Sequence, residues 1–69
     1  MNQGQIKANG QLISLDQPTT LENFLLQQNL LPRSVVVELN GEPIVPSEFK
    51  TREVRPGDVV EIVRIVAGG

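Results

Sequence analysis

Apolar residues in this chain come in short runs, and each run is separated from the next by a turn-forming pair. Gln5-Ile6-Lys7-Ala8 and Gln11-Leu12-Ile13-Ser14-Leu15 flank Asn9-Gly10. Asn-Gly supplies two positive-φ residues at low cost, as a type I′ hairpin turn requires, so a hairpin is expected. Leu12 and Leu15 do not alternate cleanly, which leaves the phase of the second strand open.

The spacing then becomes helical. Leu21, Phe24 and Leu25 share one face, with Leu26 at its edge. Thr19-x-x-Glu22 reads as a capping box, in which Thr19 accepts from the Glu22 amide and the Glu22 side chain reaches back. Asn29 suits a left-handed C-terminal position and Pro32 forbids continuation. The result is a helix of about two to three turns, too short to stand without a sheet to pack on.

Val35-Val36-Val37-Glu38-Leu39 is β-branched and apolar, the composition of an interior strand. Asn40-Gly41 turns it into Glu42-Pro43-Ile44-Val45, and Pro43 assigns that strand to an edge because it cannot donate to a ladder. Pro46-Ser47-Glu48-Phe49 reads as a helical turn capped by Ser47, with Phe49 anchored in the core. Lys50 to Val54 is polar and irregular. Arg55-Pro56-Gly57-Asp58 makes a tight turn, with Asp58 serving it. The last strand, Val59 to Val66, is the most apolar long run and belongs in the middle of the sheet. The order ββ-α-ββ-β with a central last strand is α+β: a β-grasp, or ubiquitin-like, roll. It has a mixed sheet of about five strands and one main helix across one face. One domain is expected over 1–69, with a flexible tail at 67–69.

Composition narrows the chemistry. A chain of 69 residues buries only roughly 60% of its unfolded surface. It has no cysteine and no histidine, so a Cys/His metal cluster and a Cys–His or Ser–His catalytic pair are excluded. No metal and no cofactor bound by the chain itself is expected. The net charge is −2, and Lys7, Arg33, Lys50, Arg52, Arg55 and Arg64 form no dense run. That argues against a nucleic-acid partner. No apolar stretch approaches the roughly 20 residues of a membrane span, and Met1 to Gly10 lacks the apolar core of a signal peptide. A cytoplasmic protein, monomeric when free, is expected. The acidic residues are scattered over strand, cap and turn positions and suggest a solvated surface, not a catalytic pair.

The chemical candidate is the end of the chain. Gly68 and Gly69 carry no Cβ, so the backbone there is thin and can enter a narrow channel. The Gly69 carboxylate is unhindered. If a partner presents ATP and magnesium, that carboxylate can attack the α-phosphorus, displace pyrophosphate and form an acyl-adenylate. A sulfur nucleophile then converts it to a thiocarboxylate. Taken alone, Gly-Gly is a weak signal, and an idle glycine-rich terminus is the commoner reading. Along the last strand, Val60 and Ile62 facing the helix would leave Val63 and Ile65 on the other side, beside the tail. With Val66 and Ala67 they make a candidate partner-binding surface. Arg64, next to them, reads as a solvated charge.

Asn40-Gly41 with Glu42-Pro43-Ile44-Val45-Pro46-Ser47-Glu48-Phe49, then Pro56-Gly57-Asp58 with Val59 to Ile62, and Ile65-Val66-Ala67-Gly68-Gly69 at the end resemble the ThiS family of small sulfur carriers of thiamin biosynthesis. The resemblance spans nearly the whole chain. It implies a non-enzymatic carrier, with Gly69 as the thiocarboxylate site. It also implies an activating ThiF-type adenylyltransferase that uses ATP and magnesium. ThiG thiazole synthase would be the acceptor, and a cysteine desulfurase would supply the sulfur. Carriers for molybdopterin, cysteine synthesis or tRNA thiolation share the ending and stay open. A β-grasp RNA-binding module is disfavoured by the pI near 4.9.

Overall fold

The structure, a computed structural model, describes residues 4–66. Seven strands and one α-helix follow one another as β1 (Gln5–Ala8), β2 (Gln11–Ser14), β3 (Thr19–Thr20), α1 (Leu21–Gln27), β4 (Val35–Leu39), β5 (Glu42–Ile44), β6 (Glu53–Val54) and β7 (Val59–Arg64). Turns of 3₁₀-helix at Pro32–Ser34 and Pro46–Glu48 precede β4 and follow β5. Five strands form one sheet in the order β2-β1-β7-β4-β5. β1 and β7 run parallel, and the other neighbours are antiparallel. The last strand therefore lies in the middle, Pro43 sits on an edge strand, and the arrangement is a β-grasp.

The hairpin turns follow from their residues. Asn9 and Gly10 adopt φ of 51° and 83°, and Asn40 and Gly41 adopt 52° and 85°. These are the paired positive dihedrals of a type I′ turn. Gly57 follows Pro56 with φ of 95°, and the turn closes with Asp58 N–H donating to the Arg55 carbonyl at 3.0 Å. The Asp58 carboxylate accepts from the Arg55 amide at 2.9 Å, so this side chain does serve the turn.

Helix α1 ends as its sequence indicates. Asn29 is left-handed, with φ of 62°. Its N–H donates to the Leu26 carbonyl, and Leu30 N–H donates to the Leu25 carbonyl. This is a Schellman closure, with Leu30 packed back on the core. The start differs from the expected capping box. Thr20, not Thr19, is the N-cap, and its hydroxyl accepts from Asn23 N–H at 3.1 Å. Thr19 and Thr20 are both held extended by pairing with Val54 and Glu53, so the helix starts one residue later. Two first-turn amides are satisfied from outside the helix. Leu21 N–H donates to the Arg52 carbonyl and Glu22 N–H to that of Phe49.

Three other segments depart from expectation. Ser47 does not cap its 3₁₀ turn; Val45 occupies the cap position and no side chain bonds there. Part of the segment read as irregular, Glu53–Val54, pairs with β3 as a separate two-stranded sheet and buries Val54 fully. Strand β7 ends at Arg64, leaving Ile65 and Val66 outside it.

The core lies between the sheet and α1. Ile6, Leu21, Leu25, Val37, Val54 and Val60 are fully buried, with Phe24 and Phe49 as the largest members. No polar or charged residue is buried among those described. The phase of β2 is set by Ile13 pairing with buried Ile6, which turns Leu12 outward.

Candidate functional site

The central strand is held differently along its length. Asn40 N–H donates to the Val59 carbonyl and Ile65 N–H to the Ser34 carbonyl. The alternation of an antiparallel ladder then directs the backbone groups of Val59, Glu61, Val63 and Ile65 to β4. Those of Val60, Ile62 and Arg64 point to the β1 side. There Asn9 N–H donates to the Val60 carbonyl. One step on, β1 has ended, and the Asn9 side chain takes its place. Its Oδ1 accepts from Ile62 N–H at 2.7 Å, and its Nδ2 donates to the Ile62 carbonyl at 2.9 Å.

Side chains alternate in the same way. Val60 is fully buried and Ile62 packs on the core. On the outer face Val63 is 63% exposed and Ile65 55%, and Val66, beyond the end of the strand, is 86% exposed. Val36 pairs with Val63 in register and is also exposed. Val45, one step past the Val37–Ile44 pair, is exposed as well and extends the apolar surface toward the β5 edge. Below the Val36–Val63 row, Glu38 and Glu61 face each other directly. Like charges in that position are mutually unfavourable, and neither forms an ion pair among the described residues. The surface is thus an apolar patch bordered by two carboxylates.

Of the sequence-predicted site residues, Val63, Ile65 and Val66 are brought together at the end of β7. Ala67, Gly68 and Gly69 lie outside the described residues, as does the tail at 67–69. Arg64 points to the opposite face from Val63 and lines a cleft of about 230 Å³ with Leu30, Leu31 and Ile65. It makes no ion pair with a described residue. Val36, Val45 and Asn9 were not among the predicted contacts. The signal for Val36 lay in β4 itself, since a strand covered on one face turns every second residue outward.

The charged side chains that do pair lie away from this surface. Arg52 reaches Glu42 at 3.0 Å and Glu48 at 3.4 Å, tying β5 to the following turn. That hydrogen bond and the guanidinium charge hold the Glu42 carboxyl below its ordinary value and raise Arg52. Arg55 pairs with Glu53 at 3.0 Å. Among the described residues no group of three or more acidic, His or Cys side chains is placed to hold a metal ion, and no helix is long and apolar enough to cross a membrane.

The comparisons with known proteins agree with this geometry. The model of the ThiS family matches residues 2–69. A crystal structure of a thiamine biosynthesis protein (ThiS) from Geobacter metallireducens is similar at a TM-score of 0.81 and 28% identity, covering 94% of this chain and 99% of that one. A solution NMR structure of a thiamine biosynthesis protein from the same organism gives 0.77 and 28%, covering 94% and 87%. No curated protein matches the chain.

Proposed function

Since the chain belongs to the ThiS family, we propose that it works as a sulfur carrier in thiamin biosynthesis, with the Gly69 carboxyl as the group that bears sulfur. The observation that carries this reading is the family match through residue 69. The exposed apolar patch of Val36, Val63 and Ile65 beside the start of the tail supports it.

In this reading the chain is a co-substrate. A ThiF-type enzyme holds ATP and magnesium, and the Gly69 carboxylate oxygen attacks the α-phosphorus as pyrophosphate leaves. The resulting mixed anhydride is attacked at its carbonyl carbon by a sulfur nucleophile supplied through a cysteine desulfurase, and AMP departs with the C–O bonding pair. This chain has no cysteine, so any acyl-disulfide link uses a partner's thiol, and a second thiol must cleave it. The thiocarboxylate then donates its sulfur to a ThiG-type synthase for thiazole formation. The apolar patch gives either enzyme a surface whose burial is favourable, and the Glu38–Glu61 pair favours basic residues at its rim.

Pyrophosphate release tests the first step. The full chain, the cognate adenylyltransferase, ATP and magnesium should release pyrophosphate in proportion to carrier added. Release that does not depend on the carrier would rule the reading out.

A further inference from the structure

Asn9 marks a boundary in the sheet. Up to Ile62 the β1 side of β7 is fully paired, and the last pair is made by a primary amide imitating a peptide. Beyond it, the N–H and C=O of Arg64 point to the same side and have no partner among the described residues. Ile65 N–H still bonds to the Ser34 carbonyl beyond the end of β7, so the same extended course carried one residue on would turn the Val66 N–H to that side too. The two positions lie roughly 6.6 Å apart, two residues of strand rise. They form a short open edge at the base of the tail. Unpaired strand edges are ready templates for another backbone.

Next to this edge, on the helix side, lies a slot of about 280 Å³ bounded by Asn9, Ile13, Gln28, Leu30, Ile62 and Arg64 itself. A strand laid along Arg64 and Val66 would direct alternate side chains into this slot, and the others would lie beside Val63 on the outer face. The slot has apolar walls in Ile13, Leu30 and Ile62, with the amides of Asn9 and Gln28 and the cationic Arg64 beside them. It suits an apolar side chain flanked by polar ones.

We propose that this edge receives an extended backbone segment of the adenylating enzyme by strand addition, and so aligns the tail. The proposal rests on the carrier reading above and deepens it. The complement of the open groups is another peptide backbone, because each residue offers one donor and one acceptor at strand spacing. The occupant is the adenylating enzyme because of proximity. Gly69 is five residues from Arg64, at most about 18 Å of extended chain, so whichever protein grips the carboxylate must lie alongside. Two or so backbone bonds next to the tail fix its direction and its register.

Proline at position 64 removes the outward N–H without removing any bond to β4. The test is a titration of the full chain with the cognate adenylyltransferase, comparing wild type, Arg64→Pro, Arg64→Ala and Val66→Pro, together with amide exchange at Arg64 and Val66. Strand addition predicts that each proline variant binds roughly tenfold more weakly. It also predicts that Arg64→Ala, which keeps the outward N–H and trims only a side chain at the slot, weakens binding by no more than about threefold and that both amides gain protection only in the complex. If Arg64→Pro fails to fold, Val66→Pro, which lies beyond the strand, carries the same reading. Equal weakening by Arg64→Ala would assign the contact to the guanidinium and overturn strand addition. Protection in the chain alone, with a dimer in sedimentation, would assign the edge to a second copy and overturn it too. Proline variants that bind like wild type would defeat the edge and leave the carrier reading intact. A wild-type chain that the enzyme does not bind would defeat both.

Discussion

The run from Val59 to Val66, strand β7 and the two residues beyond it, is rich in valine and isoleucine throughout, yet its two halves live in different surroundings. From Val59 to Ile62 the strand has neighbours on both edges: β4 on one, β1 and then the Asn9 amide on the other. Its inward side chains, Val60 and Ile62, are core. From Val63 to Val66 its bonds among the described residues go only to β4 and Ser34, and Val63 and Ile65 are exposed. The difference separates two tasks along one strand. The first half ties the sheet together, and the second is left accessible where the chain leaves the domain. A carrier needs both, because a tail offered to an enzyme must start from a fixed point.

The comparison is broken most severely at the far end. Adding one alanine after Gly69 shifts the carboxylate by up to about 3.5 Å. A misplacement of about 1 Å can already cost roughly a hundredfold in rate. Pyrophosphate release should be abolished, while the thermal midpoint stays at the wild-type value. A substitution in the first half should do the reverse. Val60→Ala removes a fully buried side chain and should cost about 2–3 kcal/mol in denaturant unfolding. Activation should persist in the fraction that remains folded.

The junction between the halves is Asn9. Asn9→Ala loses both amide bonds to Ile62 and places a Cβ residue without a compensating side chain in a left-handed position. A loss of about 1–2 kcal/mol is expected, together with faster amide exchange at Ile62. Val63→Asp and Ile65→Asp act on the second half alone. They should weaken binding to the adenylyltransferase or the thiazole synthase about tenfold, because a carboxylate is desolvated on docking without a partner. Stability should move by no more than about 0.5 kcal/mol. Unchanged affinity in both would remove the patch from the interface.

Most of the fold was legible because its signals are local. Asn9-Gly10, Asn40-Gly41 and Pro56-Gly57 each demand a backbone that few other residues tolerate. Asn29 with Pro32 ends the helix, and the phase of β7 followed from alternation. The misses share a cause. Thr19 was read as the cap because nothing near it in sequence discloses that Glu53 and Val54 pair with it. The same long-range contact makes β6, whose neighbours Thr51 and Arg52 read as loop. Ser47 looked like a cap by residue type, but a single 3₁₀ turn after Pro46 leaves it no first-turn amide to accept from. At the site, the exposure of Val63 and Ile65 was legible once Val60 and Ile62 are taken to face the helix. The exposure of Val36 was readable from the alternation of β4, but its place beside Val63 and the role of the Asn9 amide were not, because each acts on a strand distant in sequence.

The smallest effect concerns acid stability, and it lies away from β7. Glu42 is held below its ordinary value of 4.5 by the hydrogen bond and charge of Arg52. A carboxylate with a lowered folded pKa contributes stability above its unfolded pKa and loses it as pH falls through the folded value. Arg52→Ala should therefore narrow the pH dependence of the thermal midpoint slightly below pH 4.5. Both groups are solvent-exposed, so the difference from wild type should be small and should fade further at high salt.

Intact mass decides whether Gly69 carries sulfur. The full chain is incubated with its cognate adenylyltransferase, ATP, magnesium, a cysteine desulfurase, cysteine and a thiol reductant. The mass should rise by the exchange of one oxygen for one sulfur, located at Gly69 by fragmentation and absent from a chain extended by one alanine. An unchanged mass despite pyrophosphate release, or a sulfur found elsewhere on the chain, would contradict it.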